Sequence, residues 1–470
     1  MTSPRSKPML LALALLAATC SLAAPTSDDF RAAVASGEAA GKDFSALSAP
    51  GLTLSRPNLS GTNLSGADLR GIAITGGTLS GCNLSRANLR GAVLDRVSLV
   101  DADLTGCDLS GATLTLANLD GANLADGVFR GTSFSNVLLS SGGGTHLPGL
   151  RAALQQATGL TLSRAWVAGL SGDAFAFCYN TEDPRFWPGT PFTVNPLLAG
   201  PANLGLQARL RSDYFAEQLL LDEKSAPKGV QLLAVRLQDD PGLLGGSPLW
   251  AVLTGREVVD KQRQYFALSV PPFGPQTYRA QELLDLWTGP WGNLEPVGSL
   301  QVVRKPLLTI TAGAKLNTLP EQAKLAMQQA AQIILDKRTY GPLIPGEAGL
   351  TRLASDLRAA ANSGDLERAQ RLAAWGILPR QCLIGSRTEA CDFLTEALPG
   401  LEGDKALAAQ AALAAYQPAL LGLQEQWPEL DTKAEAMTGE ARERYVKAAD
   451  LIGAMAVADR TAAAAFLKAR

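Results

Sequence analysis

The sequence predicts three unlike parts in one chain: a repeat array, an α+β domain and an α-helical domain. Three observations predict them. From Leu54 to Leu139 a large apolar residue returns at every fifth position, a beat that belongs to neither a helix nor a strand. The beat stops at Ser140-Ser141-Gly142-Gly143-Gly144, after which aromatics, prolines and strand-like runs appear. Beyond Pro306, apolar residues recur at three- and four-residue spacing to the end of the chain.

At 470 residues, with 42 basic and 44 acidic side chains, the chain has room for several cores and no charge excess that calls for nucleic acid. Its start has a processing pattern. Arg5 and Lys7 precede the apolar run Met9 to Ala18, and small residues follow through Ala24, the layout of a signal peptide over residues 1–23. Ser21 and Ala23 suit cleavage before Ala24. Lipid anchoring on Cys20 is the alternative, weakened by Thr19 and Ala17 where a lipobox differs. The expected location is exported: periplasm, cell envelope or exterior. No other apolar stretch reaches membrane length, so no transmembrane segment is expected after processing. Residues 24–41 hold a short capping helix, with Ser27-Asp28 as its N-cap, Phe30, Ala33 and Val34 on one face, and Gly37 or Gly41 as its stop.

The array occupies residues 42–141. Its large residues include Leu64, Leu69, Leu84, Leu89, Leu104, Leu109, Leu124 and Phe129, and two positions before each sits, most often, Ala or Cys, with Asn or Asp between. Ala67-Asp68-Leu69, Ala87-Asn88-Leu89 and Ala122-Asn123-Leu124 are good examples. This A-(D/N)-L-x-x pattern resembles the pentapeptide-repeat family. The resemblance implies a right-handed quadrilateral β-helix, with those eight residues in its core and residues twenty apart stacked in columns. Arg70, Arg90 and Arg130 then share an outward column flanked by Asp68, Asn88 and Asp108. They are candidates for an anion or polysaccharide patch, though mutual pairing with the acids is the simpler expectation. Some family members protect DNA topoisomerases by resembling DNA. From Leu54 onward, six arginines against seven aspartates make this array a poor phosphate mimic.

Five cysteines follow the leader: Cys82, Cys107, Cys178, Cys382 and Cys391. The first two fall at inward positions and read as small core residues. Cys382 and Cys391 can pair only across a loop, because nine residues of helix separate them by about 13 Å.

Residues 145–305 read as α+β, with helices at Pro148 to Ala157 and Asp213 to Leu221. Strands are expected at Val230 to Leu237, Leu249 to Thr254, Gln264 to Val270 and Leu300 to Val303. Gly169-Leu170-Ser171-Gly172, followed by Ala174-Phe175, resembles the GLSG-x-AF segment of papain-like domains of the butirosin-biosynthesis acyltransferase family. That resemblance implies a Cys near the start of the first helix and a His on a central strand. Here Leu147 stands near the nucleophile position, and Leu249 and Trp250 occupy the strand. His146 is the chain's single histidine. The expected catalytic pair is therefore missing, and the one substitute dyad is Cys178 with His146. Glu182, Asp183, Asp239 and Asp240 are the carboxylates available for acid–base work, and Trp166, Phe186, Trp187, Trp287 and Trp291 the aromatics available to line a cleft. Trp187 is the ligand-binding candidate among them. No zinc spacing, Walker loop or dinucleotide fingerprint occurs, so no metal or cofactor is expected.

Residues 306–470 read as helices at Leu319 to Leu335, Ala348 to Ala361, Leu366 to Trp375, Glu389 to Leu398, Asp404 to Gln424 and Thr438 to Leu467, with Pro418 expected to kink or break the fifth. The function this implies is an exported, non-enzymatic binding or scaffold protein carrying a degenerate papain-like domain. Its expected partner is a protein or cell-envelope component rather than nucleic acid, with dimerisation through the β-helix or the helices. The rival is an acyltransferase or amidase using Cys178; a topoisomerase-binding DNA mimic ranks third.

Overall fold

The computed structural model of the chain describes residues 25–134, 137–139, 146–183, 194–211, 228–235, 249–259, 264–287, 307–313, 315–339, 341–376, 378–432 and 435–469. The leader at 1–23, the Ser/Gly joint at 140–144, the helix expected at Asp213 to Leu221 and the strand expected at Leu300 to Val303 lie outside the described residues.

Helix α1 (Ser27–Ala35) is capped by Thr26, one residue earlier than expected. The Asp29 N–H donates to Thr26 Oγ1 while the Thr26 N–H donates to the Asp29 carboxylate, both at 3.1 Å. This reciprocal pair satisfies two donors at the helix start. Phe30 is fully buried and meets Phe44 edge-on, ring centroids 4.9 Å apart, so the helix plugs the first coil of the array.

The array is a four-walled coil. Asp43 pairs in parallel with Asn63, Asn63 with Asn83, Asn83 with Asp103, and Asp103 with Asn123. Strands β1 (Thr53–Ser55), β2 (Ala73–Thr75) and β3 (Val93–Asp95) stack the same way on one wall. Leu64, Leu69, Leu84, Leu89, Leu104, Leu109 and Leu124 are at most 2% exposed. Phe129 is half-buried against the same core, its ring edge-on to Phe134 and Phe273.

Two local rules make the corners. The residue two after each central apolar one adopts positive φ, between +64° and +69° at Gly51, Gly61, Gly66 and Gly71. The N–H that follows closes a turn, as Ala67 N–H does on the Leu64 carbonyl at 3.1 Å. Positive φ at the third turn residue is the type II geometry, which favours glycine. The Asn or Asp before the central residue accepts the N–H two residues on: Asn83 from Ser85 at 3.0 Å, Asp103 from Thr105 at 3.0 Å, Asp108 from Ser110 at 2.9 Å. That side chain satisfies a corner donor.

The rest of the chain forms a second body. In order come α2 (Leu147–Thr158), α3 (Arg164–Ser171), β4 (Cys178–Asn180), α4 (Pro196–Leu204), β5 (Gln207–Arg211), β6 (Val230–Val235), β7 (Leu249–Val258), β8 (Gln264–Ser269), β9 (Pro275–Arg279), α5 (Ala280–Leu286), β10 (Leu307–Thr311), α6 (Leu319–Ile334), β11 (Leu343–Pro345), α7 (Gly346–Ser363), α8 (Leu366–Ala373), α9 (Leu378–Ala397), α10 (Gly403–Glu425) and α11 (Gly439–Phe466). Six strands make an antiparallel sheet in the order β5-β10-β6-β7-β8-β9, and β4 pairs separately with β11. Helix α10 runs through Pro418 without a break; the prolyl ring lies on the exposed face, where the carbonyl it leaves unpaired can meet water. By length and composition α10 could also cross a membrane, contrary to the expectation that no such stretch follows the leader. Its Ala408, Ala409, Ala412, Tyr416 and Leu423 are buried within the body. Cys382 and Cys391 share α9, so they cannot bridge; both are buried free thiols.

The sheet separates two cores by strand alternation. Leu232, Ala234, Trp250, Val252, Leu308 and Ile310 face the helices. Leu233, Val235, Leu249, Ala251 and Leu268 belong to one continuous cluster with the leucines of the rod. The helices on both sides of residue 306 share the first cluster. The turn between β8 and β9 closes the rod's far end. The Leu124 N–H donates to the Pro272 carbonyl at 3.0 Å, the role a further coil would fill, and Phe273 packs against Phe129 and Phe134 at 5.6 and 6.0 Å. Arg164, in the first turn of α3, donates from Nη1 to Asp101 Oδ1 and to the Asp120 carbonyl, both at 3.2 Å. Rod and body are thus joined by packing and hydrogen bonds.

Candidate functional site

The structure does not bring the substitute dyad together. His146 sits at the N-cap of α2, and its Nε2 is 3.0 Å from Asp173 Oδ2, with both side chains buried. Ser171 Oγ donates to the same oxygen at 2.6 Å. Serine and imidazole therefore share one carboxylate oxygen, whereas a nucleophile needs the imidazole as its own acceptor. Cys178 lies on β4, whose partner is β11, and is 3% exposed. Burial pushes its thiol well above the usual range, the reverse of an activated nucleophile. Among the described residues no hydrogen bond joins Cys178 to His146.

The other candidates fare differently. Trp166 is a core residue, its Nε1 donating to Gln322 Oε1 at 2.9 Å, and Trp287 is 2% exposed. Trp187, Phe186, Trp291, Asp239 and Asp240 lie outside the described residues. Glu182 is exposed. On the rod, Arg70 grips Asp68 with two bonds of 2.8 Å, and Arg90 reaches Asp108 at 3.4 Å. The column is therefore partly neutralised from its flank. Arg130 is exposed and shares an open depression with Arg90 and Asp108. Among the described residues no cluster of three metal-ligating side chains occurs.

Sequence reasoning missed the groups with the most unusual surroundings. Arg387 and Asp459 form a salt bridge with both side chains fully buried, at 2.8 and 2.7 Å. Arg387 Nη1 also donates to the carbonyls of Ala174 and Ala176, at 3.1 and 3.2 Å. The GLSG-x-AF segment is thus pinned by a cation from α9. Near it lies a cavity of about 210 Å³ where rod and body meet, bordered by Leu119, Asp120, Leu147, Arg151, Arg164 and Glu389 among others. Glu389 is 4% exposed and its Oε2 has no hydrogen-bond partner. Burial, reinforced by Asp120, holds its carboxyl well above the ordinary glutamate range. Nothing along one dimension flags Glu389, because Asp120, Arg164 and Asp173 around it are far away in sequence.

A family model for pentapeptide repeats matches in eight copies, over residues 43–71, 75–111 and 98–136. Similar solved structures include the pentapeptide repeat protein Rfr23 from the cyanobacterium Cyanothece 51142, at 36% identity and TM-score 0.18 over 18% of this chain and 58% of that one. HetL from Nostoc sp. strain PCC 7120, described as involved in heterocyst differentiation regulation, matches at 25% identity and TM-score 0.15 over 21% of this chain and 53% of that one. A pentapeptide repeat protein of the Arabidopsis thaliana thylakoid lumen matches at 30% identity and TM-score 0.11 over 20% of this chain and 72% of that one. No curated protein matches the chain. Through the coil that carries these eight copies, the chain belongs to the pentapeptide-repeat family, whose repeats form a right-handed β-helix.

Proposed function

We propose that the protein is an exported, non-enzymatic binding or scaffold protein in which a pentapeptide rod is held rigidly against a papain-like body that has lost its catalytic pair. The observation that carries this reading is the position of the single histidine: it is buried and committed to Asp173, out of hydrogen bonding with any thiol. Support for the papain-like origin comes from α2, which packs on β7 so closely that a side chain at Gly149 would strike the Trp250 backbone. This sets Leu147 beside the strand where the base would stand. The rod's ends are both covered, by α1 and by the β8–β9 turn, so partners meet its walls. End-to-end stacking of two rods is blocked, which leaves walls or helices for any dimer.

The reading is tested by treating purified protein with thiol-reactive acyl probes and with generic ester and amide substrates. No turnover is expected. Turnover that disappears in Cys178→Ala establishes the enzyme instead. For export, mass spectrometry of the protein from fractionated cells should find an N-terminus at Ala24; a diacylated Cys20 or an intact leader in the cytosol contradicts the cleavage or the export.

A further inference from the structure

We propose that the cavity between rod and body binds a small aminocarboxylate, its ammonium against Glu389 and its carboxylate against Arg151. The inference rests on the reading of the chain as a binding protein and gives that reading a ligand class.

Size comes first. At about 210 Å³ the cavity is below the roughly 300–1,000 Å³ of sites for drug-sized ligands. The occupant is therefore small. Its walls are part apolar, with Leu119 and Ala122 from the rod and Leu147 and Val167 from the body, and part polar, with Asp120, Arg151, Arg164 and Glu389.

The acidic groups of the lining are short of donors. Glu389 lines the cavity with an unpartnered Oε2, and Asp173, within electrostatic reach of Glu389, has an unpartnered buried Oδ1. Asp120 and Asp392 add to the same field. Arg164 is the nearest cation on that side, and its Nη1 is taken by Asp101 and the Asp120 carbonyl. Buried carboxylate oxygens without donors are costly. An ammonium supplies three donors, and its positive charge favours release of the proton that burial holds on Glu389. A metal ion fits less well, since no three-ligand cluster is present among the described residues.

Arg151 lines the same cavity. Its Nε donates to the Leu162 carbonyl at 2.8 Å, which fixes the guanidinium on the cavity wall. Burial and the neighbouring Arg164 disfavour its charge more than Asp101 and Asp120 favour it, so an arriving carboxylate is stabilised there. Because Leu119, Asp120 and Ala122 come from the rod and Arg151 and Glu389 from the body, neither part holds the site alone.

The test is calorimetric titration of the full chain with glycine, β-alanine and γ-aminobutyrate, with n-butylamine and butyrate as single-charge controls. At least one aminocarboxylate is expected to saturate, with each control about tenfold weaker or more. Glu389→Gln and Arg151→Gln should each weaken binding about tenfold while circular dichroism shows an intact fold, and Arg151→Lys should recover part of the loss. Absence of saturable binding by all three overturns the proposal, as does butylamine binding equally well, or wild-type affinity in Glu389→Gln. Hydrolysis of an ester of the bound aminocarboxylate overturns the non-enzymatic reading and leaves the site standing.

Discussion

In the rod, Asn63 pairs with Asn83 because they are twenty residues apart; in the body, Ala174 meets Arg387 across 213 residues. The rod repeats one local rule, so every inward position has the same neighbours: the coil above and the coil below. In the body each buried group is a separate case. Asp459 is neutralised by one arginine on another helix, while Glu389 has no equivalent. The contrast teaches where each part is vulnerable. A rod tolerates change on its outward positions and none inside, whereas the body depends on a few long-range polar contacts.

The largest expected effect breaks the rod. Leu89→Asp places an unpaired carboxylate in the tube, where Leu89 is 2% exposed, and should cost on the order of 4 kcal/mol or more. Circular dichroism should show the β signal lost while the helical signal persists; an unchanged denaturation curve would mean that the inward assignment is wrong. The counterpart in the body is Arg387→Met, which strands Asp459 in a fully buried setting. Urea unfolding should lose about 3–5 kcal/mol, and the double change Arg387→Met/Asp459→Leu should restore much of it. Equal losses in single and double variants would show that the carbonyl contacts to Ala174 and Ala176 matter more than the charge.

Phe273→Ala attacks the boundary between the two parts. It removes the ring that packs on Phe129 and Phe134, at a cost of about 3 kcal/mol. Hydrogen exchange at the Leu124 N–H should accelerate and the two parts should melt apart. A single cooperative transition with slow exchange would place the seal elsewhere.

A smaller effect comes from acid. Burial raises the folded-state pKa of Glu389 above the ordinary 4.5, so the folded chain keeps this proton over a range where the unfolded chain has released it. Its contribution to stability is complete below 4.5 and declines as pH rises through that range. Glu389→Gln should flatten this component of the pH–stability curve and raise the melting temperature near neutrality. A steeper curve in the variant would contradict the burial argument. Smallest of all, Ser85→Asp on the outer wall should move stability by no more than about 0.5 kcal/mol in thermal melts.

Much of the rod was legible in sequence, and the reason is visible in its corners. The five-residue beat placed Leu64 and Leu84 inside. The glycines at Gly61, Gly66 and Gly71 carried a second signal that the beat alone did not use, since each supplies the positive φ of a corner. Phe129 kept the beat and is only half-buried, at the end of the array where the β8–β9 turn occupies the place of the next coil. In the body, amphipathic helices such as α6 and α8 were legible from their period. Helix α3 was not, because Ala165 through Ser171 are all buried and no polar face interrupts them. The motif around Gly172 drew attention to the right segment. The partners of Asp173 and of the Ala174 carbonyl could not be read from it.

The sequence by itself determined the repeating wall, its inward residues, and the lack of a second histidine, because these depend on local spacing and on composition. Tertiary structure alone decided that the rod is fused to the body, that His146 belongs to Asp173, and that Glu389 faces a cavity without a donor. Those outcomes depend on which distant groups share a low-dielectric space, and in such a space the energy of a charge is set by its neighbours rather than by its place in the chain.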